Sequence, residues 1–383
     1  MAILKKLDIY ILKRFLGTFV FSIVLIICII IIFDISEKID DFINAPLRAI
    51  IFEHYLNFVP YFINMLSPLF TFIAVIFFTS KMASRYETVA ILSSGISYAR
   101  FLRPYMIGAA MITGASLFSS HFIIPKATRI KQAFEDKYVN TGYQNRDQNI
   151  HRQVTKGTMV YLESYSTTDQ TGYKFTIEKV KDFKLNYLLT ADLVRWDSIK
   201  ELWHVVNYCE RFIDVRPEQA SADSITLEDM KKKKSTIGNY KETLRFGKDK
   251  ELKIDFTPKD LGRLESKVEI MTYPELKKFI AKEKEKGSSG IERFEVENYK
   301  RTSFPFATFI LTLIGVAISS RKIRGGIGMH LALGLLLAAS YVLFLHVSSI
   351  FAVNGMLSPF VAVWIPNVIY SLIAFYLLKT AQK

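Results

Sequence analysis

Charge is missing from long stretches of this chain. Between Tyr55 and Ser80, and again between Gly325 and Leu378, there is no Asp, Glu, Lys or Arg. Runs of this length exceed what a soluble core needs and match the roughly 20 residues of helix that cross a bilayer. Cysteine is nearly absent. Cys28 lies in the first apolar run and Cys209 in a distant polar region, so neither a disulfide framework nor a Cys/His metal cluster is expected. The one Gly-Lys pair, Gly247-Lys248, lacks the earlier glycine of a phosphate-binding loop and is followed by Asp249. Neither Gly-x-Ser-x-Gly nor His-Glu-x-x-His occurs. No catalytic residue, metal or cofactor is therefore expected in this chain. The net charge of +14 comes without a nucleic-acid-binding motif, which leaves a membrane as the reason for the basic residues.

Half of the 383 residues are hydrophobic. They predict membrane helices at about Phe15–Phe33, within Tyr55–Ser80, and at about Pro104–Ile124, Thr302–Ser320, Met329–Phe351 and Phe360–Leu378. Asn354-Gly355 with Ser358-Pro359 supplies the turn between the last two. Lys5, Lys6, Lys13 and Arg14 precede the first run, and no small-x-small cleavage site follows it, which reads as an uncleaved signal anchor. Lys81, Arg85, Arg100 and Arg103, then Arg321, Lys322 and Arg324, then Lys379 and Lys383 fall on the same side as that N-terminal group. The opposite short loops hold only Lys38 and Arg48. This bias predicts cytoplasmic termini and puts the segment of about 125–301 on the far side.

That segment reads mostly as β structure. Tyr173–Val180 alternates with period two, and Leu193–Trp196 with Trp203–Tyr208 forms a hairpin pattern, as in an antiparallel sheet with one apolar face. Tyr273–Lys286 reads as a charged helix ended by Gly287-Ser288-Ser289-Gly290, and Lys231–Lys234 reads as a solvated loop. The expected fold is an α-helical membrane bundle of six helices with an inserted, open antiparallel β domain. Its divisions are 1–124, 125–301 and 302–383, with a further short helix at about 80–96.

The spans are nearly free of the ionisable residues that mark ion paths. His121, His330 and His346 read as packing residues, and such a bundle suits an apolar or amphipathic cargo. In Ser80–Ser97, Val89, Leu92 and Ile96 recur at helical spacing, Gly95 is placed to end the helix, and Glu87 is the only acid between Lys81 and Arg103. Two readings stay open for this segment: a helix lying along the membrane surface, or a coupling helix that docks into a cytoplasmic partner.

Four segments then resemble one family in order. They are Leu7-Asp8-Ile9-Tyr10, Arg85-x-Glu87 with Ser94-Gly95-Ile96-Ser97, Tyr299-Lys300-Arg301-x-x-x-Pro305, and Trp364-x-Pro366-Asn367. Together with the order of three helices, a β domain and three helices, they resemble the LptF/LptG permeases of the bacterial lipopolysaccharide exporter, and the opening segment leans towards LptG. The resemblance implies a jellyroll-like β domain in the periplasm and an inner-membrane location. It also implies a sister permease, a separate ATPase dimer that uses the ATP, lipopolysaccharide as cargo and periplasmic β-jellyroll partners. It assigns ATPase coupling to Arg85, Glu87, Leu92 and Gly95. Lys38, Arg48, Lys126, Arg129 and Lys131 are the candidates for the lipid head group. Family members can carry a lysine near the outer end of the first helix, whereas this chain reads Phe33-Asp34-Ile35 there. The competing expectations are a permease for another lipid or for lipoproteins, usually with four crossings, and a membrane-anchored assembly protein without transport.

Overall fold

The computed structural model describes residues 5–139, 149–166, 169–181, 184–215, 240–258, 268–286, 290–320 and 326–381. Lys231–Lys234, residues 287–289, Arg321, Lys322, Arg324 and Lys383 lie outside the described residues. The chain divides into two units: Met1–Thr141 with Glu265–Ile280 and Gly290–Lys383, and Gly142–Leu264 with Ala281–Ser289.

The first unit holds six helices long and apolar enough to cross a membrane, among the described residues: Lys6–Glu37, Leu47–Ser84, Tyr98–Tyr138, Ile291–Ser319, Ile327–Val353 and Pro359–Ala381. We call them spans one to six. This number disfavours a four-crossing permease and makes the chain a multi-pass membrane protein. Pro60 and Pro68 lie inside span two, where neighbouring helices can satisfy the freed backbone. Spans two and three each contain a π-helical stretch, at Ile50–Tyr55 and Ser119–Ile123.

Several helices run past their apolar cores. Span three continues as Ile124–Tyr138, an amphipathic segment that buries Pro125, Ala127 and Phe134. Lys126, Arg129 and Lys131 therefore stand on a helix, not at the start of a β domain at 125. Span four likewise begins at Ile291 rather than 302. Hydropathy marks only the turns that need lipid, whereas an amphipathic turn needs one apolar stripe.

One core joins spans two, four, five and six through Phe72, Ile76, Ile310, Ile314, Tyr341, Leu345, Val363 and Tyr370. Backbones approach closely here, as is common where packing alone holds membrane helices together. A Cβ at Gly334 would collide with Ile76. A second core, at the end where span one begins, gathers Ile11, Phe15, Val75, Phe78, Met82, Tyr98, Phe101 and Tyr105.

The second unit contains an open antiparallel sheet of seven strands in the order β1-β2-β4-β5-β6-β7, with β3 also paired to β4. The strands are β1 Ile150–Thr155, β2 Thr158–Leu162, β3 Ser164–Ser166, β4 Thr171–Lys181, β5 Lys184–Asp197, β6 Leu202–Val215 and β7 Tyr240–Leu252. The hairpin read from the sequence is β5–β6, with Trp196 opposite Trp203. Val160, Leu162, Phe175, Ile177, Leu189, Ala191, Val194, Trp203 and Val205 form its apolar core, and Trp203 Nε1 donates to the Phe256 carbonyl at 2.7 Å. Alternation along β5 is not strict, because Leu189 and Ala191 are buried and then Val194. The row Lys174, Asp192, Asn207 and Lys248 is skipped in the pairing of all four strands, and Lys174 and Asn207 have left-handed backbones at φ +48° and +53°. Across this line the apolar face shifts by one residue in β4 and β5, as extra strand residues cause.

Candidate functional site

Two polar constellations stand out in the helical unit. The first surrounds the short helix Glu87–Ser93, which lies between spans two and three. Tyr86 enters it at φ +61°, an uncommon backbone for a bulky residue. Gly95 leaves it at φ +85°, and its N–H donates to the Leu92 carbonyl at 3.1 Å, the glycine stop that the sequence predicted. Ile91 and Leu92 turn inward onto the second core, while Arg85, Tyr86, Val89, Ala90 and Ser93 are exposed. Leu92 is thus a packing residue of the bundle, and Tyr86 and Val89 form the apolar part of the outward face. Sequence spacing identified the helix but not which stripe would be covered.

Glu87 is half-buried, and Tyr10 on span one donates to its Oε2 at 3.4 Å. Asp8, two residues before Tyr10 on span one, is 2 % exposed, and its Oδ2 accepts from Arg100 Nη2 at 2.6 Å and from the Lys5 N–H at 2.8 Å. Arg100 lies three residues after Ser97, whose hydroxyl caps the start of span three by accepting from the Arg100 N–H at 3.3 Å. Tyr98 and Ser320, at the far end of span four, share a buried hydrogen bond of 3.2 Å. The Asp8–Arg100 pair was missed by the sequence reading, although Asp8 is the only acid among the first 33 residues.

The second constellation lies at the other end of the same helices. Asp34 meets Lys38 Nζ at 2.9 Å, His54 Nε2 at 2.9 Å and the Tyr55 hydroxyl at 3.1 Å. Lys38 also reaches Glu135 at 3.1 Å, and Lys131 reaches the same carboxylate at 3.2 Å. Arg129 pairs with Glu275 at 3.0 Å and donates to the Ile270 carbonyl. Three of the five head-group candidates are therefore bound to acids of this chain. Arg48 and Lys126 are exposed and have no ion pair among the described residues. The structure does not gather the five into one cluster, but joins Lys38 and Lys131 through Glu135.

The remaining motif residues bolt segments together. Arg301 donates to the carbonyls of Val268, Glu269 and Met271. The Pro305 carbonyl accepts from Thr113 on span three. Asn367 on span six accepts from Tyr341 on span five at 2.9 Å and donates to the Ser303 carbonyl on span four at 2.9 Å. No group of three or more His, Cys, Asp or Glu with metal-binding geometry occurs among the described residues.

In the β unit, burial pushes the Glu210 carboxyl up, but hydrogen bonds from Lys250 and Tyr187 outweigh it and hold the group below the ordinary value. The apolar face of the sheet thus carries one fully paired acid. Beyond its aliphatic and aromatic core, the same face carries Lys179 over the Tyr187 ring and Arg245 over the Phe212 ring.

No curated protein matches the chain. Residues 9–380, nearly the whole length, match the family described as lipopolysaccharide export system permease LptF/LptG. Six spans, an open antiparallel sheet inserted between the third and fourth, and a match of that extent make this chain a member of the LptF/LptG lipopolysaccharide export permease family.

Proposed function

We propose that this chain is the membrane subunit of an ATP-driven exporter that lifts lipopolysaccharide out of the inner membrane and hands it to a periplasmic bridge. The observation that carries the reading is the short helix Glu87–Ser93. It lies outside the spans and is packed inward through Ile91 and Leu92, yet it presents Tyr86, Val89 and Arg85 outward. A helix held in this way suits a groove on a cytoplasmic ATPase, with Glu87 and Arg85 at its rim and Gly95 setting its end. This chain supplies no phosphate-binding loop of its own, so the ATP belongs to a partner dimer, and a sister permease of the same family completes the membrane cavity.

Orientation follows from charge. Lys6, Lys13, Arg14, Lys81, Arg85, Arg100, Arg103 and Lys379 belong to one end of the helices, which the positive-inside bias places in the cytoplasm. The β unit is then periplasmic. Each CH₂ exposed to water costs about 0.8 kcal/mol, so one acyl chain of about a dozen carbons costs about 10 kcal/mol. Such a cargo must pass from one apolar surface to another. We assign that surface to the apolar side of the open sheet, whose buried core must be uncovered to receive the chains, and its edge strands β1 and β7, unpaired among the described residues, suit extension by periplasmic β-jellyroll partners. Lys38, Arg48, Lys126, Arg129 and Lys131 are the cations available for the head-group phosphates. Among the described residues Arg48 and Lys126 are the ones not engaged by acids, and lipid must displace Glu135 from Lys38 and Lys131.

The test is purification with associated subunits and bound lipid, followed by mass spectrometry, for the wild type and for Val89→Asp. An ATPase, a sister permease and lipid A species are expected with the wild type, and the ATPase alone is lost in the variant. Retention of the ATPase by Val89→Asp overturns the docking assignment, and absence of lipid A species overturns the cargo.

A further inference from the structure

We infer that Asp8 and Arg100 form a positioning pair that carries displacement of the Glu87–Ser93 helix into span one; the inference rests on the reading of that helix as the docking element. A helix pushed by a partner must deliver the push to the spans, and three polar ties among the described residues lead from this region to other helices. Arg100 lies at the start of span three, seven residues beyond the end of the short helix. The turn at Gly95 and the Ser97 cap fix the path between them.

The ties differ in character. The Asp8–Arg100 contact is short, at 2.6 Å, and Asp8 is almost wholly buried, with the Lys5 N–H as its second donor. A charge-assisted bond whose carboxylate is shielded from water resists parting, and no other acid among the first 33 residues can replace it. The Tyr98–Ser320 bond ties the same start of span three to the end of span four. The Tyr10–Glu87 contact, at 3.4 Å, is long for an O–H donor and links the short helix directly to span one. It is the tie that a partner's polar group can take over, because Glu87 stands at the exposed rim. Docking then frees Tyr10, while Asp8–Arg100 keeps span one moving with span three. In this device Asp8 and Arg100 act through the docking helix and touch neither ATPase nor lipid.

The test uses the purified complex of permease and ATPase in nanodiscs containing lipopolysaccharide, and reads lipid released per ATP hydrolysed. Asp8→Asn keeps the shape and the acceptor for the Lys5 N–H while removing the charge, and Arg100→Gln removes the other partner. Each single variant is expected to keep the ATPase bound and to lower the ratio by about tenfold. The double variant is expected to fall no further, since the two residues share one interaction. Arg100→Lys, which keeps the charge, is expected to recover part of the ratio. A wild-type ratio in Asp8→Asn overturns the inference, and so does a double variant whose loss is the product of the single losses. Should Asp8→Asn fail to assemble, the Arg100→Lys and Arg100→Gln comparison decides by the same ratio. The two ideas fail separately: loss of the ATPase in Val89→Asp with an unchanged ratio in Asp8→Asn removes only the positioning pair.

Discussion

His54 Nε2 lies 2.9 Å from Oδ2 of Asp34, and the imidazole is wholly buried among Phe42, Tyr55, Phe58 and Phe134. The contact joins span one to span two, and Lys38 extends it to Glu135 on span three. Asp34 is thus the hub of three contacts at this end of the helices. Asp34→Ala leaves His54 and Lys38 without their shared acceptor, and breaking such a pair costs about 3–5 kcal/mol. Asp34→Asn keeps an acceptor and is expected to cost less. Thermal unfolding of the detergent-solubilised protein measures both, and an unchanged midpoint in Asp34→Ala would count against the hub.

Glu210 sets a pH dependence in the β unit. Its carboxyl is held below the ordinary value against the upward push of burial, so it contributes stability above the unfolded-state pKa. That contribution is lost as pH falls through the depressed folded value. Urea unfolding followed by the fluorescence of Trp196 and Trp203 is expected to weaken between about pH 5 and about pH 3, and Glu210→Gln flattens the dependence. An equally steep dependence in the glutamine variant assigns the effect elsewhere.

Tyr165 buries its ring in the sheet core, and its hydroxyl has no hydrogen-bond partner among the described residues. Burial pushes the phenol up to about 12. An unpaired buried hydroxyl is a net cost, so Tyr165→Phe is expected to stabilise the protein by about 1 kcal/mol. Destabilisation on removing the oxygen would mean that the hydroxyl is paired in solution.

Arg301 holds residues 268–271 through three carbonyls, and Glu297 pairs with its Nε at 3.3 Å. Arg301→Met removes the donors and leaves those carbonyls without their shared partner. Hydrogen exchange of residues 268–276 is expected to accelerate by about tenfold, with the centre of span four unchanged. Exchange that rises equally throughout span four would indicate general loosening of the helix instead.

Much of the architecture was legible before any coordinate. The charge-free runs fixed six spans, and Gly95 marked the end of the short helix. Alternation at Tyr173–Val180 and the Trp196 and Trp203 segments located the centre of the sheet, and Tyr273–Lys286 is helical over the range that its pattern predicted. The site was less legible. Lys38, Lys126, Arg129 and Lys131 were recognisable as cations near a membrane end, but their partners were not. Leu92 shares a stripe with Val89 by spacing, yet one is covered by the bundle and the other is exposed.

By itself the sequence determined how many times the chain crosses the membrane, where the basic loops fall and which segment is a sheet. Run length, charge bias and period are properties of neighbouring residues, and the solvent on either side reads them directly. Only the tertiary structure decided that Asp8 meets Arg100, that Glu135 unites Lys38 with Lys131, and that the sheet changes its apolar parity at Lys174 and Asn207. An ion pair depends on a few ångströms between segments far apart in the chain, and no local pattern encodes that distance.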